Sequence, residues 1–543
     1  MHRTRARSLA VLAATATMIN LPAAVTAQQP AELVIVNARV FTSDPVHPRV
    51  QAVAIRDGRF VAVGDANAVA ALIDASTRVI DARGRVVVPG FNDAHMHIGP
   101  GDDAVAVRFG SNDPTASVIG DSVRAAAART PSGTWLSGAI GETALAQAAE
   151  TRALLDRVAP DHPVRLEGWT GHGLILNRAG LARAGIDERA ADPAGGWFQR
   201  AADGSITAGH GYAKFNEDVR SIAVQSDSMA RDAIARQATE AAALGITTIQ
   251  GMPLPLEPAR LQRLASALDL PLRLSIIRMG DPAVPANPID RAARVSDRLT
   301  TGGVKWFADG TPVERNALLS QPYGDRAGWH GRAYLDAAVL GDAARAAVAS
   351  GTQPAFHASG DSTIALIFAA LRAAAPDSVW RRLRPRIEHG DFLRRDQLDD
   401  ARRLGVVLVQ NPAHLMTPDV LAARFGSRVG DMQLLASVQR AGVALAIGSD
   451  GPVNPFLNLM FVTMHPGNPA EALSMEQAVV AYTYGSAYAE GIDDKGMIAV
   501  GMLADLAVLS QDIFAVPAQA LPATTSVLTI VGGRIVHEAT EAD

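Results

Sequence analysis

The feature that most constrains this 543-residue chain is a series of short apolar runs, most of them followed by a longer Ala-rich stretch of helical character. The runs are VVVPGFNDAHMH from Val86, TTIQGM (247–252), LRLSII (272–277), VKWFAD (304–309), QPAFHA (353–358), RPRIEHG (384–390), VVLVQNPAH (406–414) and ALAIGSD (444–450). A strand that is apolar on both faces belongs in a parallel sheet covered by helices. Eight such strands, with the Val86 run counted as the first, predict an α/β fold built on a (β/α)8 TIM-like barrel. The stretch between that run and Thr247 is too long for one crossover. It holds strand-like pieces of its own, TWLSGAI and PVRLEG, and predicts an inserted α/β subdomain over about 99–240.

The two chain ends follow a different grammar. LVIVNARVFT, AVAIRDGRFVAVG and TRVIDARGRVVVPG lie near the N-terminus, and ADLAVLSQD and VLTIVGGRIVHE near the C-terminus. Asn-Ala, Asp-Gly, Arg-Gly and Gly-Gly dipeptides punctuate them like hairpin turns. Isolated hairpins are only marginally stable. The two sets are therefore expected to pair into one small β-sandwich domain, 31–88 with 495–540, leaving 89–494 to the barrel. Ahead of them, MHRTRAR is a basic start, SLAVLAATATMINLPAAV a moderately apolar run, and Val25 and Ala27 are small residues. This reads as a signal peptide, residues 1–27, cleaved after Ala27. It predicts a periplasmic or secreted protein with no membrane span once the leader is gone.

A hydrophobic share of 48% beside 19% charged residues fits a soluble chain with a large core. The net charge of −5, with no basic stripe interleaved with aromatics, points away from nucleic acid as a partner. The absence of cysteine excludes a disulfide framework, a lipidated N-terminal cysteine and any thiolate-bound metal. A homodimer is the default among assemblies.

In such a barrel, chemistry sits at the C-terminal strand ends. There the first strand delivers His95 and His97, which lie two positions apart and so share one face. The fourth carries Lys305 and Asp309, the fifth ends at His357, the sixth at Glu388 and His389, the seventh at His414 and the eighth at Asp450. The chain has 13 histidines, and five of them fall at these ends, where chance would scatter them. Imidazole and carboxylate together suit a divalent metal, one or two ions per chain, with zinc the first candidate and manganese or iron the alternatives. An ion with an open position makes hydroxide available near neutral pH. Asp450 could then both ligate and accept the proton of the attacking water.

As a set, PGFNDAHMH, GVKWFADGT, FHASGD, RIEHG, AIGSDGP and DKGMIAVGMLADLAVLSQD resemble the metal-dependent amidohydrolase superfamily, and within it the YtcJ-like branch that includes N-substituted formamide deformylases. The likeness spans about 31–540 and implies a β-sandwich from both termini around a metal-bearing barrel. It implies an enzyme that cleaves a carbon–nitrogen bond, amide or N-acyl, of a small-molecule substrate. Esters and lactones lie within reach of the same machinery. The readings from other classes are a non-catalytic exported binding protein and a metal enzyme that rearranges or eliminates. Carried over by residue, the resemblance makes His95, His97, His357, His389 and Asp450 metal ligands. It turns Lys305 into a CO2-derived carbamate bridging two ions, against the alternative of a Lys305–Asp309 ion pair. His172, in GWTGHG, and His414 become substrate contacts. Two departures stand out. The family's Gln-Pro-x-His reads QNPAH here, with an extra Asn411, and relatives often carry Glu where this chain has Tyr212 and Ala213. His210 is a candidate replacement for that Glu.

Overall fold

A computed structural model describes residues 29–99, 103–211, 226–252, 258–288, 290 and 292–540. The expected signal peptide, and Tyr212 and Ala213, lie outside the described residues. Eight parallel strands follow one another in chain order: Phe91–Met96, Ile246–Gly251, Arg273–Met279, Leu299–Phe307, Pro354–Ala358, Arg386–His389, Val407–Gln410 and Ala444–Ile447. The sheet curls until its first and last members meet. An isolated parallel bridge joins Met96 to Asp450, and the Asp450 N–H donates to the His95 carbonyl at 2.7 Å.

One face of each strand packs outward against helices such as Ala337–Ser350 and Asp361–Ala374, through Ile246, Leu274, Trp306, Phe356, Ile387 and Leu408. The other face is mixed: Ala94, Val407, Val409 and Ala446 form a small apolar cluster there, and polar groups fill much of the rest. Asn92, Gln250, Lys305, Arg386 and Glu388 are each at most 2% exposed inside the barrel. The runs read as apolar on both faces thus conceal buried polar groups.

The Val86 run is two strands rather than one. Val86–Pro89 pairs with Leu506–Leu509 and Arg39–Phe41 in a six-stranded sheet, and only Phe91–Met96 enters the barrel. Gly90 makes the transition because a side chain has no room there: a Cβ would stand 2.2 Å from the Thr247 side chain. The six-stranded sheet faces a four-stranded one made of Arg59–Gly64, Ala52–Arg56, Leu33–Val36 and Arg78–Asp81. Ile35, Val53 and Phe60 from one sheet, with Val87, Leu506 and Ile530 from the other, form the core of this sandwich. The inserted subdomain carries its own six-stranded sheet, from Gly196–Arg200 at one edge to Val105–Ala106 at the other, over a separate core that includes Ile119, Leu136 and Leu166. Among the described residues no single helix is long and apolar enough to cross a membrane.

Gly90→Ala is expected to cost about 1–3 kcal/mol, the usual range for forcing atoms into a filled site. Urea denaturation reads this directly, and an unchanged midpoint would contradict the close approach to Thr247.

Candidate metal centre

The seam between the first and eighth strands builds the site. Asp93, fully buried, accepts from the Ser449 N–H at 2.8 Å, the Ser449 hydroxyl, the Tyr482 hydroxyl at 3.0 Å and the His95 N–H at 3.2 Å. Burial still pushes its carboxyl up to about 6 against those bonds. Gly448 lets the strands touch, since a Cβ there would stand 2.3 Å from the His95 nitrogen. Asp450, two residues on, lands beside the first-strand histidines.

Asp450 is the hub. Its Oδ1 lies 3.7 Å from His95 Nε2 and 3.4 Å from His97 Nε2. Its Oδ2 lies 3.3 Å from His414 Nε2 and 3.9 Å from His389 Nδ1. His95, His97 and Asp450 form one compact set of ligand-type atoms, and His389, His414 and Asp450 a second. His357 adjoins them, its ring centre 4.4 Å from that of His389. Burial would raise Asp450, but the imidazoles of His95, His414 and His97 hold it well below the usual carboxylate range.

The imidazoles are preset for coordination. Glu388 Oε2 lies 2.6 Å from His95 Nδ1. Burial opposes ionisation of Glu388, yet Arg386 and His95 bring it down to about 2, so it accepts and Nδ1 donates. That leaves a lone pair on Nε2, toward which Lys305 Nζ points from 3.0 Å. His389 Nδ1 meets Asn411 Oδ1 at 2.9 Å, and the Asn411 amide is itself oriented by donating to the Gly448 carbonyl at 2.9 Å. The extra Asn411 thus anchors a histidine. His357 makes no hydrogen bond at either ring nitrogen among the described residues, although both atoms are buried. Burial draws His95 down to about 4, and His357 and His389 well below the ordinary imidazole value. Neutral imidazole is the ligating form. This donor set fits a divalent ion.

Comparisons with known proteins identify the family. The amidohydrolase family pattern matches residues 78–537, most of the chain. The chain belongs to the amidohydrolase family. It is similar to the putative amidohydrolase YtcJ of Bacillus subtilis, at 27% identity over 90% of this chain and 96% of the relative. It is similar too to the N-substituted formamide deformylase of Arthrobacter pascens, at 26% identity over 89% of this chain and 94% of that one. The same fold occurs in an uncharacterized metal-dependent hydrolase from Pyrococcus horikoshii, with a TM-score of 0.68 and 21% identity over 90% of this chain and 99% of the other.

Other residues of this amidohydrolase sort by geometry. Lys305 turns to His95 rather than to Asp309, whose carboxylate instead accepts the backbone N–H groups of Leu318, Ser359 and Gly360. Strand alternation sends Trp306 into the outer core and Phe307 inward, 5.3 Å from the His357 ring. His172 stands in the turn between Val164–Gly168 and Gly173–Leu176, its ring 4.7 Å from that of His357. His414 sits on a 3-10 turn, Pro412–Met416, not on the seventh strand, because Pro412 has no N–H to continue the ladder. His172, His389, His414 and Asp450 border a cavity of about 430 Å3. His210 stacks on Trp197 in the inserted sheet and bonds Gln199 at 3.2 Å, apart from the cluster. Sequence reading missed Asp391, whose Oδ1 is 3.6 Å from His414 Nδ1. Burial would lower His414, but hydrogen bonding to Asp391 and Asp450 raises it to about 10. Asp391 stands two residues beyond His389, and that proximity was the available signal.

Burial, reinforced by the Lys305 charge, draws His172 down to about 3. An unfolded imidazole takes up its proton near 6.5. The unfolded chain therefore binds more protons in between, and the stability due to His172 is lost as pH falls from 6.5 toward 3. In the metal-free protein, His172→Gln is expected to flatten the fall in stability between about pH 6 and 4 by about 1.4 kcal/mol per pH unit. Urea titrations across that window check it, and parallel curves for the two proteins would contradict it.

Proposed function

We propose that this amidohydrolase cleaves an amide or N-acyl carbon–nitrogen bond of a small molecule, with Asp450 as general base. The observation that carries the reading is the place of Asp450. One of its oxygens faces His95 and His97, the other His414 and His389, and the side chain borders the cavity. In this reading His95, His97 and Asp450 hold one ion, and His357, His389 and carbamylated Lys305 complete a binuclear centre, with zinc the first candidate. When bound, such ions supply Lewis acidity that acidifies water and polarises a carbonyl.

The chain's own groups do the rest. Asp450 takes the proton of the attacking water and delivers it to the leaving nitrogen. His414, held between Asp391 and Asp450, borders the substrate cavity, and His172 closes the opposite side beside His357. Burial draws the Lys305 amine down to about 8, so an uncharged fraction exists near neutral pH to add CO2. Trp169, Pro312, Val313, Met416, Leu421 and Met432 give the cavity apolar walls suited to an apolar substituent. The deformylase relative supports an amide as the scissile group. Export after removal of residues 1–27 belongs to the same reading.

The test is a panel of N-formyl and N-acyl amines beside matched esters, with native protein and Asp450→Asn. Hydrolysis of the amides is expected, with kcat lowered about 10²–10⁴-fold in the variant, the usual share of a general base. Turnover of esters alone would contradict the bond assignment. Native-like kcat in Asp450→Asn would remove Asp450 as the base.

A further inference from the structure

Beneath the metal centre, the barrel interior holds an unbroken line of polar side chains where apolar packing is the cheaper filling. It starts at the opposite end of the barrel, where Lys495 and Glu490 line a cleft of about 470 Å3 among the N-terminal ends of the third to sixth strands. Lys495 Nζ lies 2.5 Å from Glu490 Oε2 and donates to Thr248 Oγ1 at 3.2 Å. Asn92 Nδ2 donates to Glu490 Oε2 at 3.0 Å. Gln250 Nε2 donates to Asn92 Oδ1 at 3.0 Å and to the Ser486 carbonyl at 2.8 Å, which turns its own Oε1 toward Arg386 Nη1 at 2.5 Å. Arg386 grips both oxygens of Glu388, at 2.6 and 3.1 Å, and also donates to the Ala94 carbonyl at 2.7 Å. Glu388 ends the line on His95 Nδ1.

Every joint in this line has one permitted orientation. The Gln250 amide cannot flip, because both sides of it are committed. The guanidinium fork matches the two carboxylate oxygens and holds Glu388 in one plane. Four charges are buried and each is paired. A line with these properties, ending on the ring nitrogen that does not face Asp450, fixes both the tautomer and the direction of His95. We propose that Asn92, Gln250, Arg386 and the Glu490–Lys495 pair are positioning residues for His95, so that the far end of the barrel sets how tightly the metal centre binds its ion. The proposal rests on His95 being a ligand, as assigned above.

The test measures the zinc dissociation constant of folded protein by competition with a chelator. Glu388→Gln removes the anchoring charge, and Gln250→Met breaks the line without changing charge and with little change in volume. Glu471→Gln alters a buried carboxylate that accepts from Arg395 and Ser437 away from the line. Loss of an outer partner of a metal-bound histidine typically weakens binding about 10–100-fold. That range is expected for Glu388→Gln, with about tenfold for Gln250→Met. Glu471→Gln is expected to lower the melting temperature and leave zinc affinity unchanged. Native zinc affinity in folded Gln250→Met overturns the proposal, as does equal weakening by Glu471→Gln. Unchanged zinc affinity in His95→Ala would overturn the ligand assignment itself, which separates that failure from failure of the line.

Discussion

The site depends on how the barrel closes. The first and eighth strands share one bridge, Met96 to Asp450, and one strong backbone bond, from the Asp450 N–H to the His95 carbonyl. Asp93 braces the join from inside by accepting from Ser449 and Tyr482, and Gly448 permits the contact by having no side chain. Without that closure the first-strand imidazoles and the eighth-strand carboxylate would lie at opposite edges of an open sheet. With it, Asp450 stands within 4 Å of four histidines.

The period of a strand does the remaining work. Residues two apart share a face, so Arg386 with Glu388, and Lys305 with Phe307, turn inward while Ile387 and Trp306 turn out to the helices. One face stabilises the barrel by apolar burial, and the other carries the buried charged groups. Groups held there have little water to solvate them, so burial keeps the imidazoles neutral and available to a cation. The inserted sheet adds a roof: Trp197 packs on Tyr334, which neighbours His172 above His357.

Much of this was legible in the residues. The His-x-His pair and the polar strand ends marked the barrel and the cluster at its closing seam, because strand period acts locally. The split of the Val86 run was not legible, since Gly90 matters through Thr247, far away in sequence. The sequence puts His414 on a strand, because nothing local in QNPAH shows that the ladder ends before Pro412. Asn411 reads as an irregular insertion in sequence, whereas its amide lies between His389 and Gly448. Asn92, Gln250 and Arg386 gave no sign of acting together, because only barrel closure brings their strands around a common axis.

The most direct measurement is the number of metal atoms per chain, by elemental analysis of exhaustively dialysed protein, native beside a His95→Ala/His97→Ala double variant. The expected result is about two atoms per native chain, as a shared binuclear centre requires, and clear loss in the variant. Equal metal in both proteins, or none in the native protein after growth in metal-supplemented medium, would contradict a metal centre at this seam.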